Sequence, residues 1–273
     1  MNALEIPKNV QKALDGLVNK TREYFKDDLV GMYLHGSLAM GGFNPVSSDI
    51  DILIVVKNPL SLDQKKELGK MFVDLSEGVP GNGYELSIVT VDAVQNFVYP
   101  TPYEFHFSYD QKEAFLQGLI DFSNGAVDPD LAAHFLITKK RGVCLYGQPI
   151  SEIFKEVPKE YYLDSLMKDA AWSYNKIIET SDDESTLPVY AILNFCRMLA
   201  LLQVDLVASK LEGGEWALKN LPREYHQIIE EALKEKRESG AGKGLDSKSV
   251  KEFARYAMQL IQDTSKELSV LGA

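Results

Sequence analysis

The stretch LHGSLAMGGFNPVSSDIDILIVV, Leu34 to Val56, sets Asp49 and Asp51 one residue apart at the mouth of the apolar run ILIVV, twelve residues after Ser37. The run is β-branched and apolar, which predicts an interior strand over 49–56. Residues i and i+2 of a strand share a face, so the two aspartates are expected to project together. Two ionised carboxylates that close repel, and either one takes up a proton or a cation sits between them. Oxygen ligands on a rigid strand suit Mg²⁺, which commonly binds through one or two carboxylates together with substrate phosphates. The plainer alternative is one aspartate capping a turn and the other solvated at a strand edge.

Three neighbouring features bear on that choice. The apolar flank puts the tip of an interior strand in a cleft rather than in bulk water. HGS, residues 35–37, ends the preceding run LVGMYL (29–34), a short strand. Gly36 permits close backbone approach to a ligand, and the following amides with the Ser37 hydroxyl can hold phosphate oxygens. Glu85 lies in GYELSIVTV (83–91), a further strand, on the face opposite Tyr84, Leu86 and Ile88. Two aspartates would then hold metal against phosphates while Glu85 takes a proton from an attacking hydroxyl. Glu85 could equally be a solvent-facing strand residue.

Outward from this core, 8–27 and 61–78 have helical periodicity, the second opening at a Ser61 cap. YPTPYEF (99–105) is punctuated by prolines and reads as a loop. Residues 128–142 read as a helix with Pro129 early and Gly142 near its end. Beyond about residue 150 only helical patterns occur, over 159–180, 187–209, 222–237 and 246–268, the last after the glycine-rich ESGAGKGLDS. The expected organisation is an α/β domain over 1–150 and an all-α helical bundle over 151–273.

The 273 residues are 45% hydrophobic and 25% charged, as in a soluble globular protein. No apolar run approaches the ~20 residues that span a bilayer, and no signal peptide is read at the start, so a cytoplasmic protein without membrane contact is expected. Cys144 and Cys196 lack metal-ligand spacing and read as reduced core thiols. A net charge of −11 argues against nucleic acid as the main partner and suits a cationic small molecule.

Gly36-Ser37, then Asp49-x-Asp51, then an acidic residue on a later strand resembles the nucleotidyltransferase superfamily with the DNA polymerase β-like fold. GYELSIVTV, DPDLAAHFLITKKRGVCLYGQPI, LNFCRMLALL and EWALKNLP narrow the resemblance to aminoglycoside adenylyltransferases of the streptomycin/spectinomycin type, across roughly residues 25–240. That resemblance implies an α+β nucleotidyltransferase domain, a mixed sheet with flanking helices, followed by the helical domain, with ATP and the drug bound in a cleft between them. It implies Mg²⁺ on Asp49 and Asp51, triphosphate at Gly36 and Ser37, Glu85 as catalytic base, and Arg197 and Lys210 as nucleotide contacts. The implied activity is transfer of AMP from ATP to an antibiotic hydroxyl by a monomer, hence resistance.

Thirteen residues of continuous helix would separate Arg197 from Lys210 by roughly 20 Å, so the chain must turn between them for both to serve one nucleotide. SKLEGGEW supplies Gly213 and Gly214 only after Lys210, which places Lys210 at or beyond a fraying helix end. Arg197 could instead pair with an acidic neighbour, and Lys210 could be a solvated terminal lysine favoured by the helix dipole. Streptomycin-modifying relatives carry a Trp near where Asp110 falls here and an acidic residue near where Leu187 falls, which favours spectinomycin or another aminocyclitol. Glu104, His106, Asp110 and Tyr190 are candidate acceptor contacts. His106 can also be read as an ordinary loop or core histidine, and Tyr190 as a core aromatic. The competing functions are adenylylation of a protein or another metabolite, and a non-catalytic nucleotide-binding module.

Overall fold

The computed structural model describes residues 6–122, 126–179, 187–238 and 245–271. The chain divides into two compact units, one up to Tyr162 and one from Leu163.

The first unit opens with α1 (Lys8–Phe25), β1 (Leu29–Leu34), the single turn α2 (Gly36–Ala39), β2 (Ile50–Val56), α3 (Leu62–Ser76) and β3 (Tyr84–Thr90). It continues through α4 (Val91–Gln95), β4 (Thr101–Tyr103), β5 (Phe105–Ser108), α5 (Lys112–Leu116), β6 (Ala126–Asp128), α6 (Leu131–Arg141), β7 (Val143–Gly147) and α7 (Ile150–Ile153). Five strands form one sheet in the order β5-β3-β2-β1-β7. Only β2 and β3 are parallel, joined across α3, so the sheet is mixed, as expected. β4 and β6 form a separate ribbon.

Side-chain alternation gives the sheet two faces. On one, Met32, Ile52, Ile54, Leu86, Ile88, Phe105 and Phe107 pack under Val10, Leu14 and Leu17 of α1 and Leu68 and Phe72 of α3. α3 starts where its sequence says it should, since Ser61 and Gln64 exchange the two bonds of a capping box. On the other face Tyr33 meets Phe154 edge-on at 5.0 Å, and Phe154 meets Phe135 of α6 at 5.6 Å. The active-site candidates lie on this second face.

Several expectations are corrected here. The proline-rich segment 99–105 is not a loop throughout. It carries β4 and enters β5, whose Phe105 and Phe107 fill the core beside Phe72. Pro129 precedes α6 rather than standing in its first turn. Cys144 is exposed, because β7 is the sheet's edge strand, while Cys196 is buried and both are free thiols.

The second unit comprises most of α8 (Lys159–Glu179), then α9 (Leu187–Val204), α10 (Lys210–Asn220), α11 (His226–Glu238) and α12 (Ser247–Leu271). α9 is apolar over most of its surface because α10, α11 and α12 all pack on it. Gly213 and Gly214 do not break a helix. They lie inside α10, where a Cβ on Gly213 would come within 2.8 Å of the Arg197 backbone and one on Gly214 within 2.6 Å of Leu233. The two glycines are a notch that lets α10 approach α9. The glycine-rich stretch 239–244 lies outside the described residues, and so does the side chain of Leu187.

Candidate active site

The register of β2 against β3 sets Asp51 directly beside Glu85. Neighbouring strands lie about 4.8 Å apart, so two carboxylates share one spot on the sheet face. The residue just after β1 continues the row, where the His35 N–H donates to the Asp51 carbonyl at 3.0 Å. On the far side Ser108 of β5 is the register partner of Glu85. His35, Asp51, Glu85 and Ser108 therefore form one row, across β2, β3 and β5 and the residue that follows β1.

The Gly36-Ser37 turn closes on this row. Gly36 has φ +62°, a left-handed conformation, and a Cβ there would stand 1.9 Å from Asp51 Oδ2. Only glycine lets this backbone lie against the carboxylate. The Ser37 Oγ beside it is buried and has no hydrogen-bond partner. Asp49 sits half-buried just before β2, where the Ile50 N–H donates to the Gly83 carbonyl at 2.9 Å and the Asn82 N–H to the Ser48 carbonyl at 3.1 Å. These bonds anchor the segment that carries Asp49.

One row further along the same face, Ser87 Oγ and His106 Nδ1 are 3.0 Å apart. Burial pushes the His106 pKa below its ordinary value, against the opposing pull of Asp128. His35 is buried more completely, and burial followed by the neighbouring His134 ring holds its pKa well below 6.5. Both imidazoles are thus neutral at pH 7.

The structure gathers Gly36, Ser37, Asp51 and Glu85 and puts His106 on the same face. Asp110 is exposed in the turn after β5. Glu104 is not brought to this spot. Its N–H donates to the carbonyl of Ile88, three residues beyond Glu85, and its carboxylate accepts the Leu60 N–H at 3.0 Å with Lys65 Nζ at 3.9 Å. That engagement secures the entry to α3.

The second unit holds a separate polar cluster of its own. Chain reversal over 205–209, with Asp205 at φ +54°, ends α9 and starts α10 at Lys210. The turn required between Arg197 and Lys210 is therefore present, but it comes before Lys210. Lys210 opens a helix behind the Ser209 cap instead of fraying from the end of one, so a C-terminal dipole does not account for it. Its Nζ lies 4.1 Å from the centroid of the Tyr190 ring, a cation–π contact. The Tyr190 hydroxyl donates to Asp169 at 3.0 Å and Asn194 Nδ2 to the same carboxylate at 2.7 Å, while an Arg197 terminal nitrogen stands 3.8 Å away. Burial, with Asp169 close by, pushes the Tyr190 pKa up to about 12. Arg197 Nε is buried with no partner.

Asp169 was missed in the sequence. The spacing of Ser165, Asp169 and Ser173 along α8 does not by itself say what the stripe faces. Ser87 and Ser108 were missed because a serine in a strand carries no mark of its neighbours.

A mixed sheet bearing an Asp/Glu pair at adjacent strand starts, closed by a left-handed Gly-Ser turn, defines a nucleotidyltransferase domain, and the family model of that description matches residues 14–115. The model described as aminoglycoside adenylyltransferase, C-terminal domain, matches 152–259. A spectinomycin 9-adenylyltransferase of Staphylococcus aureus is 30% identical over 254 residues, covering 88% of this chain and 91% of the relative. An aminoglycoside (3'') (9) adenylyltransferase of Klebsiella pneumoniae is 26% identical over 228 residues, covering 82% and 84%. A crystal structure of a spectinomycin adenyltransferase from Enterococcus, solved with ATP and spectinomycin, shares the fold at TM-score 0.73 and 23% identity, covering 93% of this chain and 99% of that one. The chain belongs to the aminoglycoside adenylyltransferase family and is an enzyme of the nucleotidyltransferase class.

Proposed function

We propose that the protein transfers AMP from Mg²⁺-bound ATP to a hydroxyl of spectinomycin or a closely similar aminocyclitol and releases pyrophosphate. The observation that carries this reading is the Asp51–Glu85 pair with the Gly36 backbone laid against it. Asp49 and Asp51 supply hard carboxylate oxygens. Such a partial donor set suits Mg²⁺, which completes its shell with phosphate and water. Bound there, the ion would neutralise charge on the α-phosphate.

The protein's own groups do the rest. The partnerless Ser37 hydroxyl and the Gly36-Ser37 amides receive phosphate oxygens. Glu85 takes the proton of the drug hydroxyl as its oxygen attacks phosphorus, and the bond to pyrophosphate breaks in line. Arg197 and Lys210 neutralise nucleotide charge. His106, neutral and oriented by Ser87, and Asp110 contact the acceptor, with Tyr190 contributing from the helical unit. Asp110 near the position of the Trp used for streptomycin, and Leu187 near that of an acidic residue, favour spectinomycin. The net charge of −11 attracts a cationic drug. The reading takes the protein to act as a monomer. Residues 1–150 would serve as the nucleotidyltransferase domain and 151–273 as the helical domain, in the cytoplasm.

The test is a panel assay with labelled ATP, Mg²⁺ and aminoglycosides, with product mass read by spectrometry. Spectinomycin gaining one AMP is the expected result. Label on protein or another metabolite, with none on any drug, would replace the acceptor assignment. ATP binding without turnover would make the protein a nucleotide-binding module.

A further inference from the structure

We infer that Asp169 is a positioning residue for nucleotide binding, acting through Tyr190, Lys210 and Arg197. The inference rests on the assignment of Arg197 and Lys210 to the nucleotide. α9 presents Tyr190, Asn194 and Arg197 at spacings of four and three residues, which puts all three on one helix face. Asp169 of α8 faces that stripe. Its carboxylate takes the Tyr190 hydroxyl at 3.0 Å and Asn194 Nδ2 at 2.7 Å, two donors that fix its orientation.

Arg197 is held differently. Its nearest nitrogen stays 3.8 Å from Asp169, beyond hydrogen-bond length, and its Nε is buried without a partner. The carboxylate thus steers the guanidinium without consuming its donors, and five N–H groups in a fixed fork suit a phosphate. Lys210 depends on the same carboxylate at one remove. Asp169 fixes the Tyr190 phenol, and the Tyr190 ring is the seat on which the Lys210 ammonium rests at 4.1 Å. Gly213 brings the backbone of α10, the helix that Lys210 opens, against the α9 backbone at Arg197. A lysine in the first turn of a helix is opposed by the helix dipole, so its placement needs such a seat.

The experiment is calorimetric titration of the full-length protein with Mg²⁺·ATP, without acceptor, for wild type, D169A, D169N, K210M and D169A/K210M, with melting temperatures in parallel. D169A should weaken ATP binding by about 10-fold, and D169N, which keeps one acceptor oxygen for Tyr190, by less. In the K210M background the D169A effect should shrink several-fold, because one route by which Asp169 acts is gone. A lower melting temperature with unchanged ATP affinity, or equal D169A effects in both backgrounds, overturns the inference and leaves Asp169 a structural, partly buried polar group. If K210M itself binds ATP as wild type does, the assignment of Lys210 to the nucleotide fails instead. Should D169A not fold, D169N and the K210M/D169N pair carry the same cycle.

Discussion

Gly36→Ala separates backbone strain from active-site geometry. The substitution forces an L-residue to φ +62°, which costs roughly 1–2 kcal/mol. It also sets a methyl group 1.9 Å from Asp51 Oδ2, where ordinary contact begins near 3.4 Å, so the carboxylate must retreat by about 1.5 Å. A displacement of ~1 Å at a reacting centre costs on the order of 10²-fold in rate, about 2.7 kcal/mol of barrier. Gly78 supplies the control: it has φ +76° and open space where its Cβ would go. Both alanine variants should lose about 2–8 °C in Tm for a chain of this size. Only Gly36→Ala should lose ~10²-fold or more in kcat/KM, measured as pyrophosphate release with ATP and spectinomycin beside scanning fluorimetry. Equal activity losses in the two variants would refute the claim that Gly36 serves the Asp51 carboxylate.

Ser37→Ala should act in opposite directions on stability and binding. It deletes a buried hydroxyl without a partner, so Tm should hold or rise, while KM for ATP rises roughly 10-fold through loss of a charge-assisted bond of about 1.5 kcal/mol; an unchanged KM removes Ser37 from the phosphate site. Glu104→Ala should cost about 1–2 kcal/mol of stability in denaturant unfolding and leave the acceptor KM near wild type, because the carboxylate caps the Leu60 N–H; a raised acceptor KM at full stability would return Glu104 to the acceptor site. His35 and His106 have folded pKa values depressed by burial. The unfolded chain therefore binds their protons first, so their full contribution holds above about pH 6.5 and falls below it, by at most ~1.4 kcal/mol per pH unit for each ring. Urea midpoints at pH 7.5 and 5.5 should show that loss, and His106→Gln should lessen it.

Much of the candidate row was legible because strand periodicity is short and rigid. Once DIDILIVV and GYELSIVTV are strands, alternation puts Glu85 opposite Tyr84, Leu86 and Ile88, and the structure has it there. The direct pairing of Asp51 with Glu85 was not legible, since nothing local says that β2 and β3 run parallel in that register. Gly36 was identified by type, but its contact with Asp51 is a tertiary fact. Strands β5 and β7 were hidden for different reasons. Prolines at 100 and 102 masked the approach to β5, and β7 is a short edge strand whose Cys144 looks outward. The helical unit was legible in its helices and not in its joints. Gly213 and Gly214 look like a break in one dimension and are a packing notch in three. Asp169 stayed invisible because a helical aspartate is ordinarily solvated, and only α9 reveals what it holds.

The account stands most directly on Glu85. Single-turnover transfer of labelled AMP to spectinomycin by Glu85→Gln, with Kd for Mg²⁺·ATP and for the drug measured on the same protein, isolates the proton-accepting role from binding. Both affinities within a few-fold of wild type and a rate lower by ~10²-fold or more is the predicted result. A transfer rate close to that of wild type would contradict the assignment of the base beside Asp51.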